Sequence, residues 1–488
     1  MLPGVSIGHN EFGGWGLTVF GQDNEDLYVY DTNPADPGQY RYLDRWEEMQ
    51  VIRDGIAIKD ESPQTVELKY TRHGPVLFED NKNHKAYALR AAWMEIGNAP
   101  YLASLRMDQA SSWQEFVAAC SYSGIPSENM IWGDVDKNIG YQAVGISPIR
   151  RNWSGLVPVP GDGRYEWDGY LPIKALPHLL NPAKGYFASA NNYMVPADYP
   201  HINALHYTWG DEMRGLRADE LMSTGRRHTI VDMMNYQHDE LAIPARSIVP
   251  LLRPITFNDS MMKSAVARLL DWDHVLDKES IAATIYVSFE RQLSRSMQQL
   301  MVPDPDSDVL FRLNKKRIID WLVAPDGRFG DDPIKGRDAL LVSSLKQGLI
   351  DLTERLGTNM DRWQYGQEKF KHVLIRHPLS AVVSSEVRAR LDVGPAPRGG
   401  YDSTLNSTGT SNNQRSGATF RVIMDSANWD NSIATSSPGQ SGNPDSPHYK
   451  DLFQLWVKHQ YFPMFFTREK VESVTENRTW LTPRATSR

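Results

Sequence analysis

Apolar residues change their spacing twice along this chain of 488 residues, and that change limits the possible folds more than any other feature. Up to about residue 200 they alternate or come in short runs broken by glycine, proline and Asp-Asn turns, the pattern of paired strands. Strands are predicted within 5–30, at 65–70 and 76–78 around a His73-Gly74-Pro75 turn, at 139–146 and at 185–190, with a Pro/Gly-rich loop across 158–169. From 201 to 360 the spacing becomes three and four. Helices are predicted at 214–224, 229–240, 259–276, 280–301, 307–322 and 338–356, several of them opened by Ser, Thr or Asp caps. From 361 to 488 short strands return, with a polar low-complexity bridge over 399–417 and a strand at 419–424. This order predicts an α+β body: a β-rich part (1–200), a mainly helical region (201–360) and a β-rich part (361–488) completing the same body. A doubly wound sheet would alternate strand and helix throughout.

Several function classes drop out on composition. A net charge of −8 without a Lys/Arg run leaves no surface suited to tracking phosphates, so no nucleic-acid partner is expected. The longest apolar run, 281–289, meets Glu290 and Arg291 well short of the roughly 20 residues that cross a bilayer, so no membrane span is expected. The single cysteine, Cys120, can form neither an internal disulfide nor a multi-thiolate metal site, and it reads as a small core residue. The sequence holds no Gly-rich phosphate loop, His-Glu-x-x-His helix or Gly-x-Ser-x-Gly elbow. With 13 histidines and many serines and aspartates, spacing alone selects no Ser-His-Asp triad.

Five segments in order carry a resemblance. They are Pro3-Gly4-Val5-Ser6-Ile7-Gly8-His9-Asn10 with Trp15-Gly16-Leu17-Thr18; Thr71-Arg72-His73-Gly74-Pro75-Val76; Asn138-Ile139-Gly140-Tyr141-Gln142; Ala188-Ser189-Ala190-Asn191-Asn192; and Gly439-Gln440-Ser441-Gly442-Asn443-Pro444 leading to Ser446-Pro447-His448-Tyr449. Together they resemble the large subunit of the penicillin acylase (penicillin amidase) family, which are N-terminal nucleophile hydrolases. The resemblance implies an αββα sandwich, incomplete here at its front, with a helical middle and a β-rich C-terminal part. It also implies cleavage of the acyl side chain of penicillin-like or other N-acyl compounds by a serine freed at a chain N-terminus. That serine's own α-amine acts as the base, its ordinary pKa of roughly 8 lying close to working pH.

By the same resemblance, the oxyanion of the tetrahedral intermediate is held by the main-chain N–H of Val19 and the side-chain amide of Asn191. Tandem asparagines also simply make turns. Arg214 falls where the family keeps an arginine beside that asparagine, with Arg217 as the fallback and a solvated helix-start arginine as the plain alternative. Ile7 falls on the acyl-pocket wall, or equally in core. Asp23, Glu25 and Asp26 fall on a calcium-binding turn, two carboxylates and one main-chain carbonyl, although an acidic solvated turn fits as well and an expected further aspartate is Asn203. Calcium is expected in a structural role, and no organic cofactor.

The family's nucleophilic serine lies upstream of the Pro-Gly turn that opens this sequence, and Ser6 is no substitute for it. The expected partners are therefore an N-acyl amide substrate, a small α subunit and the N-terminal segment of the large subunit. The chain alone is expected to be inactive, whether as a fragmentary reading frame, a truncated gene or part of a split enzyme. Acyl-homoserine-lactone acylase and a non-catalytic binding remnant are the alternative functions. A periplasmic or secreted location follows from the resemblance alone.

Overall fold

The computed structural model describes residues 4–99, 101–205, 207, 209–302 and 313–482. They form two compact units, Met1–Gly210 and Asp211–Arg488.

The first unit holds an antiparallel sheet in the order Gly8–His9, Gly13–Val19, Glu128–Asp134, Ile139–Val144, His178–Leu180. Short helices Ser104–Met107 and Trp113–Cys120 cover one face of it. Trp15 and Trp132, directly opposite in the ladder, stack with centroids 6.5 Å apart, and Phe116 and Met130 close around them. Gly140 is needed for this packing, because a Cβ there would run into the Trp113 ring. Cys120 is fully buried in the same cluster and burial pushes its thiol pKa well up, so it is the core residue expected from sequence.

An eight-stranded sheet also lies in this unit. It runs Arg45–Glu48, Asp36–Tyr42, Glu25–Asn33, Lys85–Ala91, Gly74–Asp80, Gln64–Thr71, Gln50–Ile56, with Val159–Pro160 added parallel to Glu25–Asn33. The His73-Gly74-Pro75 turn is built around a buried imidazole: His73 stacks on Tyr28 at 3.8 Å, bonds the Tyr30 hydroxyl and lies 3.0 Å from Glu166. Gly74, at φ 140, brings the chain against the Leu89 carbonyl, where any side chain would clash.

In the second unit the described residues up to 356 are mainly helical. Helices Ile281–Met301 and Pro333–Leu356 pack closely, with the Phe289 backbone against Gly348. Glu290, which ends the apolar run of 281–289, is buried and paired with Lys315 Nζ at 2.9 Å. Among the described residues no helix is long and apolar enough to cross a membrane.

Several boundaries differ from the sequence reading. Residues 186–189 have no regular structure, and the strand lies earlier, at His178–Leu180. The loop over 158–169 contains the strand Val159–Pro160 and the start of Trp167–Tyr170. The helix expected over 259–276 spans Ser260–Leu270, and Val275 instead bridges Leu241. The one expected from 338 starts at Pro333, because Asp332 caps it and proline suits a first turn. Of the helix expected over 307–322, residues 307–312 lie outside the described residues and the rest is Lys315–Val323. Helix Ile243–Ile248 was hidden by Pro244, a breaker in sequence and a starter in place.

Candidate functional site

The Gly13–Val19 strand sets the site. In its ladder with Glu128–Asp134, Thr18 faces Asn129 and Val19 faces Glu128, while the Phe20 N–H donates to Ser127 O at 3.1 Å. Hydrogen-bonded and non-bonded pairs alternate along antiparallel strands, so Val19 occupies a non-bonded position and its N–H and C=O both turn away from that neighbour. On the other side, the Gly8–His9 strand reaches only Trp15 and Gly14. Among the described residues the main chain at Val19 therefore faces a sheet edge, and the residue is 67% exposed.

Asn191 comes to this edge from a loop 172 residues later, its Nδ2 donating to Val19 O at 2.8 Å. The two asparagines divide the roles open in the sequence. Asn192 makes the turn, its Oδ1 accepting from Ala190 N–H at 3.1 Å, while Asn191 projects to the strand. Asn191 sits at φ 60, a left-handed conformation that asparagine tolerates better than most residues, and Gly210 packs so closely that a Cβ would lie 2.6 Å from the Asn191 carbonyl. A carboxamide carries two N–H donors, so the bond to Val19 orients the group and uses one of them.

Two residues that the sequence reading passed over complete this geometry. Asn129 Nδ2 also donates to Val19 O, at 2.9 Å, and Asn129 Oδ1 accepts from Tyr141 OH at 2.8 Å. Tyr141 stood inside a quoted segment, but an asparagine between Ser127-Glu128 and an apolar run gives no sequence signal. Ile7 lies over Gly16: a Cβ on Gly16 would contact Ile131 at 3.5 Å and Ile7 at 3.9 Å. Gly16 and Thr18 share a face by strand alternation, so Ile7 stands on the face that bears the Asn129 contacts.

Directly opposite Val19, Glu128 is buried with one carboxylate oxygen lacking a hydrogen-bond partner, and burial pushes its pKa up to about 7 against the opposing effect of Tyr101. Its folded pKa exceeds the ordinary value. Below the ordinary value the carboxyl is neutral folded and unfolded; above about 7 the folded state bears the full cost of a buried charge. Glu128→Gln is therefore expected to leave stability unchanged near pH 4 and raise it by on the order of 2 kcal/mol at pH 8, measured by urea unfolding at both pH values.

Arg214 lies in the second unit, in the first turn of helix Met213–Met222. Burial lowers its pKa, opposed by the nearby charges of Asp402 and Asp211. Asp211 fixes this helix end by accepting from Met213 N–H at 2.9 Å and from Lys315 N–H at 2.9 Å. Arg217, the fallback, is engaged by Asp239 through two bonds of 2.9 and 2.6 Å.

At the expected calcium turn the chain supplies a cation of its own. Arg150 Nε donates to Asp26 Oδ2 at 2.8 Å, and its Nη2 lies 3.2 Å from the Asp23 carbonyl and 3.4 Å from the Asp23 carboxylate. Trp167 Nε1 also donates to Asp26 Oδ2, at 2.5 Å. Two carboxylates against one guanidinium leave a negative excess, and Asp26 Oδ1 is buried without a hydrogen-bond partner. Burial pushes the Asp26 pKa up to about 6 despite Arg150. Glu25 has an exposed side chain, and because Ala92 N–H bonds Asn24 O, its own carbonyl turns away from the Lys85–Ala91 strand. Asn203 Oδ1 is taken by Tyr207 OH at 2.5 Å. The orphan oxygen and the charge excess fit a hard cation, but among the described residues no group of three or more His, Cys, Asp or Glu surrounds one. The donors form a partial shell.

The chain is similar to known proteins along nearly its whole length. The family described as Penicillin amidase matches residues 1–473. The acyl-homoserine lactone acylase QuiP of Pseudomonas aeruginosa is 27% identical, across 99% of this chain and 63% of its own length. The penicillin acylase 2 proenzyme of Pseudomonas sp. strain SE83 is 28% identical, with 97% and 62% covered, and the penicillin G acylase of Escherichia coli is 23% identical, with 97% and 59% covered. The chain thus spans about three-fifths of the length of these relatives. The thermostable penicillin G acylase from Alcaligenes faecalis superposes with a TM-score of 0.74 at 22% identity, over 99% of this chain and 90% of that one, which establishes the N-terminal nucleophile hydrolase fold and the α+β class. The chain belongs to the penicillin amidase family.

Proposed function

We propose that the protein carrying this chain hydrolyses the amide bond of N-acyl compounds, penicillin-type side-chain amides among them. One observation supports this above the others: the main chain of Val19 at an open sheet edge, joined to the Asn191 carboxamide at 2.8 Å. In this reading the nucleophile is an N-terminal serine outside residues 1–488, and a small subunit completes the enzyme. The serine hydroxyl adds to the amide carbon as its proton passes to the α-amine, and the new oxyanion is met by Val19 N–H and Asn191 Nδ2. Collapse breaks the C–N bond, the amine leaves with the proton, and water then hydrolyses the acyl-serine ester. Ile7 is assigned to the wall of the acyl pocket. A periplasmic or secreted location accompanies this reading.

The relative named as an acyl-homoserine lactone acylase favours a second reading with the same mechanism and a longer acyl pocket. Rates of the full-length protein on a phenylacetyl amide and on a long-chain acyl-homoserine lactone separate the two. Hydrolysis of neither, by protein that is folded and processed, would reject both.

We further assign a calcium ion in a structural role to Asp23, the Glu25 carbonyl and Asp26. Asp26, its pKa pushed up to about 6, is largely protonated below that pH, so the ion is expected to bind more tightly above it than below it. At pH 8, calcium at a hundredfold excess over its dissociation constant should stabilise the protein by about 2.7 kcal/mol, and Asp26→Asn should remove most of the gain. A melting temperature indifferent to both calcium and chelator at pH 8 would rule the ion out.

A further inference from the structure

We propose that Asn129, held by Tyr141, is a positioning residue for the Val19–Asn191 pair; the proposal rests on the amide-hydrolase reading above. Asn129 is 2% exposed on the strand beside Gly13–Val19, and its amide has only one workable orientation. Tyr141 OH donates to its Oδ1 at 2.8 Å, so its Nδ2 points the other way, to Val19 O at 2.9 Å and Thr18 Oγ1 at 3.3 Å. Val19 O is thereby gripped by two carboxamides, one from a neighbouring strand and one from the Asn191 loop.

Tyr141 is itself fixed twice. It lies on the Ile139–Val144 strand, is 2% exposed, and stacks on Phe187 with centroids 4.3 Å apart and planes 20° from parallel. Phe187 is four residues before Asn191 on the same loop. Tyr141 therefore ties the loop that brings Asn191 to the strand that brings Val19. The Val19 carbonyl shares its peptide plane with the Phe20 N–H, which donates to Ser127 O at 3.1 Å, so the neighbouring strand holds that plane from one side and the two carboxamides hold its oxygen. Two convergent donors on that carbonyl hold the end of the strand that carries the Val19 N–H, whose own peptide is fixed by the pairing of Thr18 with Asn129. They also set the distance at which Asn191 stands. Oxyanion stabilisation depends on donors aimed before the charge develops, and misplacement by about 1 Å costs on the order of a hundredfold in rate. Asn129 touches no substrate in this arrangement. It acts through the two groups that do.

The test uses the full-length protein with whichever acyl amide or acyl-homoserine lactone it turns over fastest, and measures kcat, KM and melting temperature. Asn129→Asp keeps the acceptor for Tyr141 but turns an oxygen toward Val19 O. Tyr141→Phe keeps the stacked ring and removes the hydroxyl that holds the Asn129 carboxamide in place. We expect kcat to fall about 30-fold in the first and about fivefold in the second, with KM within threefold of the parent and Tyr141→Phe melting within a few degrees of it. Should Asn129→Asp fail to fold, Tyr141→Phe decides: parental kcat in that variant overturns the positioning role. Asn191→Gly in the same assay distinguishes the two levels. If it is inactive while Asn129→Asp and Tyr141→Phe turn over at the parental rate, positioning by Asn129 is wrong and the hydrolase reading stands. If it keeps the parental rate, the oxyanion role of Asn191 fails and the positioning role of Asn129 falls with it; a folded, processed parent that turns over no acyl amide or acyl-homoserine lactone is the result that rejects the hydrolase reading.

Discussion

Replacing Asn191 by glycine is expected to lower kcat for amide hydrolysis by about 10²–10³-fold with little change in KM, the loss found when one oxyanion donor is removed. Glycine is the better replacement because the residue sits at φ 60. There it keeps the backbone unstrained, whereas alanine adds a left-handed penalty of about 1 kcal/mol that would mix a folding defect with a chemical one. Comparing the two variants separates the effects: both should lose activity and the bond to Val19 O, and Asn191→Ala should be the less stable of the two by about 1 kcal/mol. Val19 contributes through its main chain, so no side-chain substitution removes its donor, and Asn191 carries the whole mutational test of the pair. Steady-state kinetics on a phenylacetyl anilide, with melting curves alongside, check the outcome. Parental kcat in Asn191→Gly would remove the carboxamide from the chemistry and leave its bond to Val19 O as a loop anchor only.

The parts of this site that were legible in sequence are those whose chemistry is tied to a short motif. The Trp15-Gly16-Leu17-Thr18 run shows its purpose in the Trp15–Trp132 stack, and Asn138-Ile139-Gly140 in the close approach of Trp113 to Gly140. Asn191 and Asn192 were indistinguishable as letters, since either could make a turn or a donor, and only the fold assigns the turn to Asn192. Asn129 and Glu128 were silent because a polar residue inside an apolar strand looks the same whether it is bonded, strained or functional. Arg150 was silent for another reason. It is 124 residues from Asp26, so its occupation of the acidic turn is a tertiary fact that no spacing encodes. Fold class came from periodicity and survived; helix and strand ends slipped where Pro244, Pro333 and the loop before Asn191 set them by tertiary packing.

The polar bridge over 399–417 shows where composition misleads, and it yields the largest expected loss of stability. Its Ser, Thr, Gly and Asn content reads as solvated linker, yet Tyr401, Ser403, Thr404, Asn406 and Thr408 are all buried. Cations inside the unit hold it there. Lys371, fully buried, donates all three of its ammonium protons to main-chain carbonyls of the loop, to Thr408 at 2.9 Å and to Gly409 and Ser411 at 2.8 Å. Arg291 adds a bond of 2.9 Å to Asn412, and Arg421 one of 2.9 Å to Asn406. Burial, helped by Arg291, draws the Lys371 pKa down to about 7, while three acceptors converging on one nitrogen favour the charged form. Lys371→Met preserves most of the side-chain length and apolar packing but leaves three carbonyls without a donor. Each unsatisfied buried group costs about 1–3 kcal/mol, with partial relief if water enters, so the variant is expected to lose roughly 3–5 kcal/mol of stability. The loss should concentrate in this loop: amides of residues 399–417 are expected to exchange with solvent far faster than in the parent, while helices Ile281–Met301 and Pro333–Leu356 keep their protection. Urea unfolding combined with hydrogen exchange reads both quantities. A variant as stable as the parent, with the loop still protected, would show that the arginines and the loop's own turns suffice and that the lysine clamp contributes little.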